Sequence, residues 1–321
     1  MNKRSFLKAV GAVLAGPAVL AAPRVLRANR PIRVIVPLPA GSSNDFVARA
    51  ITVLVSQTLG QPIIVENREG ANGTIGTMEL LRAAPDGHTL MCGSLSPLAA
   101  NVAFIKNLPY DPATDMTPIA GASLTNHVLM VRQDSPVQTF QDFLAHAKAH
   151  PGKLNVGAST SIVQLQIATI NAMAGVSLVN IPYRGTPATL NDVIGGVLDA
   201  TFTDPGNALA QVRGGNLKAL AVTSLERNPT TPEWPAISET LPGFDFPSWN
   251  AFVGPKGLQA DFVQRFSQAV QEALNDAELA AKMAQSGTTA LHLNPDELRD
   301  FTAAEIAKYV TLARAANIEP Q

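Results

Sequence analysis

A chain of 321 residues with 46% hydrophobic and 15% charged residues is too apolar to be disordered and longer than one core organises, so two domains are expected. Five of its 24 basic residues (Lys3, Arg4, Lys8, Arg24, Arg27) and none of its 25 acidic ones lie in residues 1–28, so the formal charge of −1 becomes −6 once that segment is removed. This balance argues against nucleic acid or an anionic membrane surface as a partner, and a single cysteine, Cys92, excludes an internal disulfide.

Residues 1–28 have a basic start, a fourteen-residue apolar run from Ala9 to Ala22 and small residues at two cleavage points, after Ala22 or after Ala28. They read as an export signal, since the run falls short of the ~20 residues a membrane span needs. Lys3-Arg-Ser-Phe-Leu-Lys8 resembles a twin-arginine motif with lysine in the first basic position, and an ordinary Sec signal is the alternative. No later window approaches a span, so the mature protein is expected to be soluble and outside the cytoplasmic membrane.

The mature part begins with a β-branched strand over 32–36, ended by Pro37 and Pro39, followed by a turn at Gly41. Ser42 or Ser43 then caps a helix, with Asp45 placed for a capping box and Phe46, Ala50, Val53 and Leu54 at helical spacing. The free N–H groups of such a helix start hold a carboxylate or phosphate; a purely structural turn is the competing reading. Further strands are expected over 63–66, 89–92, 127–131, 154–157, 178–181, 200–203, 218–222 and 250–253. Helices are expected over 43–58, 74–83, 139–149, 162–174, 187–195, 206–213, 261–275, 278–285 and 295–315, the last as a closing element. The alternation implies an α/β fold with mainly parallel sheets.

Other constellations carry less. Gly70-Ala-Asn-Gly-Thr-Ile-Gly76 follows a strand and precedes a helix, but it has neither dinucleotide nor P-loop spacing and reads as a turn. Asp142, His146 and His150 share a helix face at a spacing that suits zinc, and equally suits a solvated face with histidines near a helix C-terminus, the preferred reading. His88, His127 and His292 are isolated, Arg184 either pairs with a ligand carboxylate or is simply exposed, the preferred reading, and Cys92 reads as a buried inert thiol. No G-x-S-x-G or S-x-x-K is present, and Gly157-Ala-Ser-Thr-Ser161 ends in serine where an esterase elbow needs glycine, so neither an enzyme nor a cofactor is expected. Asp204 in Ala200-Thr-Phe-Thr-Asp-Pro205 either caps the following helix, meets a ligand, or does both. Ser94, Leu95 and Thr186 stand near the C-terminal ends of strands, where ligands of open α/β sheets collect.

A series of segments in fixed order over roughly 290 residues resembles the Bug family, the extracytoplasmic solute receptors of tripartite tricarboxylate transporters. Besides the first loop it comprises Leu59-Gly-Gln-Pro-Ile-Ile-Val-Glu-Asn-Arg68, Gly73-Thr-Ile-Gly76, Ala84-Pro-Asp-Gly-His-Thr-Leu90, Leu108-Pro-Tyr-Asp-Pro112 and Pro151-Gly-Lys-Leu-Asn155. Ile181-Pro-Tyr-Arg-Gly185, Ala219-Leu-Ala-Val-Thr-Ser224, Leu241-Pro-Gly-Phe244, Trp249 and Gly254-Pro255 complete it. The resemblance implies a two-lobed periplasmic-binding-protein type II fold, with domain one at 30–124 plus 255–321 and domain two at 125–254. It also implies a periplasmic location, a small organic anion, in particular a carboxylate, as ligand, and delivery to membrane transporter subunits by a monomer. Two alternatives remain: a sensory accessory protein that presents the ligand to a membrane partner, and a secreted enzyme on the same fold.

By the same resemblance the ligand lies between two loops, one similar to Pro39–Asp45 (Ala40, Gly41, Ser42, Ser43, Asn44, Asp45) and one mapping to Ala158–Gln164 (Ala158, Ser159, Thr160, Ser161, Gln164). Asp204 occupies the family's acidic position in domain two. The second loop here is about two residues shorter than usual and poorer in glycine, has Gln164 in place of histidine, and carries the apolar Ile162 and Val163.

Overall fold

Short β-branched strands alternating with amphipathic helices build two sheets in a computed structural model that describes residues 30–315 and 318–320; the export segment read at residues 1–28 lies outside them. The chain begins with β1 (Ile32–Val36), α1 (Ser43–Leu59), β2 (Ile63–Asn67), α2 (Thr74–Leu81), β3 (Thr89–Ser94), α3 (Asn101–Phe104) and β4 (Met116–Thr125). It crosses to β5 (Val128–Arg132), α4 (Phe140–Ala149), β6 (Asn155–Ala158), α5 (Ser161–Ala174), β7 (Val179–Pro182), α6 (Thr186–Ile194), β8 (Ala200–Thr203), α7 (Pro205–Arg213) and β9 (Leu217–Val222). It returns through β10 (Ser248–Pro255), α8 (Ala260–Leu274), α9 (Ala277–Gln285), β11 (Thr289–Ala290) and α10 (Pro295–Ala315).

Sheet one has the order β11-β4-β10-β3-β1-β2 and sheet two the order β7-β6-β8-β5-β9. The expectation of mainly parallel sheets is corrected. β1 pairs parallel with β2 and β3, and β6 with β7 and β8, but β10 is antiparallel to β3 and β4, β11 to β4, and β5 to β8 and β9. The crossing explains it: β4 carries the chain out of sheet one and β10 brings it back beside β4, while β5 enters sheet two beside the departing β9. By sheet membership the return crossing precedes Ser248 and does not follow residue 254, so β10 belongs with the first lobe. The two crossing segments are tied together, with His127 N–H donating to Thr223 Oγ1 and Thr223 N–H to the His127 carbonyl, both at 2.9 Å.

β4 and β11 have no counterpart among the expected strands. β4 contains Pro118, Gly121 and Ser123, poor strand formers, and Pro118 is tolerated beside a register shift against β10. Gly121 is required by packing: a Cβ there would stand 2.3 Å from the Leu291 carbonyl, where the chain leading to α10 passes.

One face of sheet one is covered by α1 and α8: Val47, Ile51 and Val55 meet Ile32, Val34, Phe252 and Phe266, all fully buried. Each such side chain contributes about 1.5–3 kcal/mol as an upper estimate. The other core is continuous across both lobes, running from Ile35 and Met91 through Leu98, Trp249 and Tyr309 to Ile162, Val156 and Phe140. α10 joins it by packing on β4, α3, α5 and the π-helical turn Ser96–Ala100. Among the described residues no helix is long and apolar enough to cross a membrane.

The clasp of α10 on β10 is polar at its centre: Trp249 Nε1 donates to Glu305 Oε2 at 2.9 Å, both side chains are buried, and Phe301 stands edge-on to the indole. Glu305→Ala leaves that N–H unpaired and should lower the unfolding free energy by about 1–3 kcal/mol, whereas Glu305→Gln keeps an acceptor and should cost less. Urea unfolding followed by tryptophan fluorescence checks this, and equal losses in the two variants would contradict it.

Candidate functional site

The turn after β1 is built by short-range capping. Ser42, in extended conformation, caps α1 by accepting the Asp45 N–H at 3.3 Å. Gly41 has φ +79° with open space around its missing Cβ, so glycine is needed there for conformation and not for room. The capping box expected of Asp45 closes one residue further back, on the Gly41 N–H at 2.9 Å. The same carboxylate accepts from Arg49 Nε at 2.9 Å and Asn67 Nδ2 at 3.0 Å, tying the turn to β2. Burial pushes the Asp45 pKa up, but the hydrogen bonds from Arg49, Gly41 and Asn67 outweigh it and hold the group below its ordinary value of 3.8.

At the start of α1 two N–H groups are unused. Ser42 N–H reaches the Pro39 carbonyl and Phe46 N–H the Ser42 carbonyl, while the N–H groups of Ser43 and Asn44 have no acceptor among the described residues. Ser43 Oγ is buried without a partner, and so is Asn44 Oδ1. Below them Asn44 Nδ2 donates to Asn250 Oδ1 at 2.7 Å, and Asn250 Nδ2 to Ser123 Oγ at 2.8 Å, a buried polar chain that fixes the start of α1 on β10 and β4.

Lobe two presents a matching set of helix starts. Thr160 caps α5 through the Val163 N–H at 3.3 Å, leaving the Ser161 and Ile162 N–H groups without acceptors among the described residues. α6 starts after Gly185 with no side-chain cap, and Ser159 Oγ lies 3.3 Å from Thr186 Oγ1 at its first residue. Asp204 caps α7, taking the Asn207 N–H at 3.0 Å and Asn207 Nδ2 at 2.6 Å, so its capping role is observed. His127 Nδ1 lies 3.0 Å from the Gln166 side-chain amide. Burial lowers its pKa below 6.5 against the Gln166 hydrogen bond and the charge of Asp204, so the imidazole is neutral at pH 7.

These helix starts enclose one cavity of about 250 Å³ between the lobes, slightly below the usual range for small-molecule sites. Eleven of the fifteen residues read from the sequence line it: Ala40, Gly41, Ser42, Ser43, Asn44, Ser94, Leu95, Ser159, Thr160, Thr186 and Asp204. The other four do not, each for a local reason. Asp45 turns its carboxylate back onto its own lobe, Ala158 is buried at the end of β6, and Ser161 Oγ is taken by Asn72. Gln164 stands a full turn into α5 with its N–H on the Thr160 carbonyl, and Gln166, not Gln164, reaches the histidine at the cavity.

Several lining residues escaped the sequence reading. Thr125 and His127 follow from β4, which has no clear strand pattern, and Ser248 and Asn250 begin an antiparallel strand, so the rule that ligands collect at C-terminal strand ends misses them. Thr203, whose Oγ1 is buried and unpartnered, and Phe202 end β8 and were signalled only by their place beside Asp204. Leu38, Leu95, Ile162 and Phe202 give the cavity apolar walls, and Arg184, exposed as expected, also lines it. Burial pushes the Cys92 thiol up to about 12, the state of an inert core sulfur lying under Asn44. Asp142 closes the capping box of α4 with Thr139, and among the described residues no group of three or more His, Cys, Asp or Glu is placed to hold a metal.

The sequence and the fold match known proteins. Residues 47–318 match the family described as "Tripartite tricarboxylate transporter family receptor". BugT of Bordetella pertussis is 32% identical over 285 residues, covering 88% of this chain and 87% of its own. Among solved structures, R. palustris Rpa4515 with adipate is 28% identical with a TM-score of 0.87, over 91% of this chain and 99% of that one. MatC from Rhodopseudomonas palustris with bound malate is 31% identical with a TM-score of 0.80, over 88% and 98%.

Because its folded pKa is depressed, Asp45 adds stability that is complete above the ordinary carboxylate value of 3.8 and is lost as pH falls through the lower folded value. Asp45→Asn should therefore lower the melting midpoint at pH 7, and its gap from the natural chain should close as pH is taken below about 4. A gap that stays constant down to about pH 3, measured by thermal unfolding, would contradict this.

Proposed function

The chain belongs to the tripartite tricarboxylate transporter receptor family, and from that premise and the geometry of the cleft we propose that it captures a small organic carboxylate and delivers it to membrane transporter subunits. It is a periplasmic solute-binding receptor of the Bug type. The observation that carries the ligand class is the pair of helix starts with unused donors facing one cavity from opposite lobes, Ser43 and Asn44 at the start of α1 and Ile162 at the start of α5. Each helix start carries roughly half a positive charge, so two of them supply about the charge of one carboxylate's counter-ion, in addition to the Arg184 guanidinium at the cavity wall.

The protein's acidic balance makes this local supply necessary, because the global field repels anions. Leu38, Leu95, Ile162 and Phe202 exclude water around the site, which strengthens every hydrogen bond to the bound anion. The adipate and malate carried by the two R. palustris proteins support a carboxylate as the class. Capture without turnover is part of the same reading, as is export by the N-terminal segment.

Thermal unfolding of the mature protein, refolded to remove any carried ligand, against mono-, di- and tricarboxylates, aromatic acids and amino acids tests this. An acid at a hundredfold over its Kd adds about 2.7 kcal/mol, a shift of several degrees for a chain of this size. A shift confined to uncharged or cationic solutes, or none with any acid while the protein is folded, would overturn the reading.

A further inference from the structure

We infer that Asn72 is a positioning residue of this cleft: it reaches from lobe one to Ser161 at the start of α5 and clasps the two lobes in their closed arrangement, a role that builds on the carboxylate reading of the site. Asn72 Nδ2 donates to Ser161 Oγ at 2.9 Å, joining segments that follow strands of different sheets. Asn72 follows β2, the edge strand of sheet one, three positions from β10 and four from β4. Ser161 follows β6, two positions from β5 and three from β9. The bond therefore joins the lobes away from the crossing strands, beside the place where α5 packs on the Ser96–Ala100 turn of lobe one.

The backbone around Asn72 is built for this reach. Ala71 at φ +47° and Asn72 at φ +52° are two successive non-glycine residues in the left-handed region, a conformation that persists only when the surroundings enforce it. Asn101, itself buried, enforces it by donating Nδ2 to the Asn72 carbonyl at 3.0 Å, and Tyr110 lies 3.2 Å from the same amide with its hydroxyl on the Pro97 carbonyl. Gly73, directly after Asn72, and Gly76 in α2 both pack closely against Pro37, the residue that follows β1. The backbone carbonyl of Asn72 is thus anchored in lobe one while its side chain holds lobe two.

At the other end, Ser161 is the first residue of α5 and one of the two whose N–H groups are unused. A bond to its hydroxyl fixes where those donors stand relative to Ser43 and Asn44. The Gly70–Gly76 segment, which has no phosphate-loop spacing, thereby acquires a role as a rigid arm.

Asn72→Gly removes the side chain and keeps a residue at ease at positive φ, and Ser161→Ala removes the acceptor. Cys92 is the one cysteine of the chain and is buried, so cysteines introduced at exposed Gln57 and Asn180 take spin labels selectively, one in each lobe. Pulsed-EPR distance distributions of the ligand-free protein should show the closed-to-open ratio falling about fivefold in either variant, the factor for a hydrogen bond of ~1 kcal/mol. The double variant should fall no further than the singles, since both remove one bond. Distributions that superimpose on the natural chain's, or losses that add in the double variant, would overturn the inference. No ligand is used, so this outcome is separate from that of the carboxylate screen.

Discussion

The constraint on which this structure turns is that the first N–H groups of a helix have no partner inside the helix and must find one outside it. In α1 the supply of acceptors is deliberate and incomplete. Ser42 satisfies the Asp45 N–H, and Asp45 spends its carboxylate on Gly41, Arg49 and Asn67, so that Ser43 and Asn44 are left with donors and nothing to give them to. The same is true of Ser161 and Ile162 at the start of α5. A cavity that joins two such deficits, and that also holds the unpartnered Ser43 Oγ and Thr203 Oγ1, offers its donors to an acceptor-rich guest, the basis of the proposed function.

The rest of the architecture serves to bring those ends together. Parallel pairing of β1 with β3 and of β6 with β8 sends the α1 and α5 starts to the ends of their sheets that face each other. The antiparallel β10 then brings Asn250 beside Ser94, where it anchors Asn44 from below. The crossing segments are stitched by Thr223 and His127, and α10 locks β10 through Trp249 and Glu305, so the lobes share a continuous apolar core as well as a cleft. The Asn72 arm adds a polar contact between the lobes at the start of α5.

Much of this is legible in the sequence because its causes are local. A strand, two prolines, Gly41 and Ser42 announce the first loop, since caps and turns are decided within a few residues, and the same holds for Thr160 before α5 and Asp204 before α7. What is not legible is set by partners far along the chain. The Asp45 carboxylate looks like a ligand group until Asn67, from the next strand, claims it, and the Ser161 hydroxyl until Asn72 does. β4 escapes because Pro118, Gly121 and Ser123 deny it a strand pattern, and its partner β10 defines it instead. With β4 goes the antiparallel part of the sheet, and with that Thr125, Ser248 and Asn250 at the cavity.

The measurement that tests the central claim most directly is calorimetric titration of the natural chain and of Ser43→Pro with each acid that binds. Proline is well tolerated at the first position of a helix, and Ser42 before it already has the extended conformation proline requires, so the substitution removes one unused N–H and the buried hydroxyl while leaving α1 intact. The account predicts an unchanged melting temperature without ligand and affinity lower by about tenfold or more, the scale of a hydrogen bond to a charged group. Equal affinity in the two proteins would show that the start of α1 does not hold the anion.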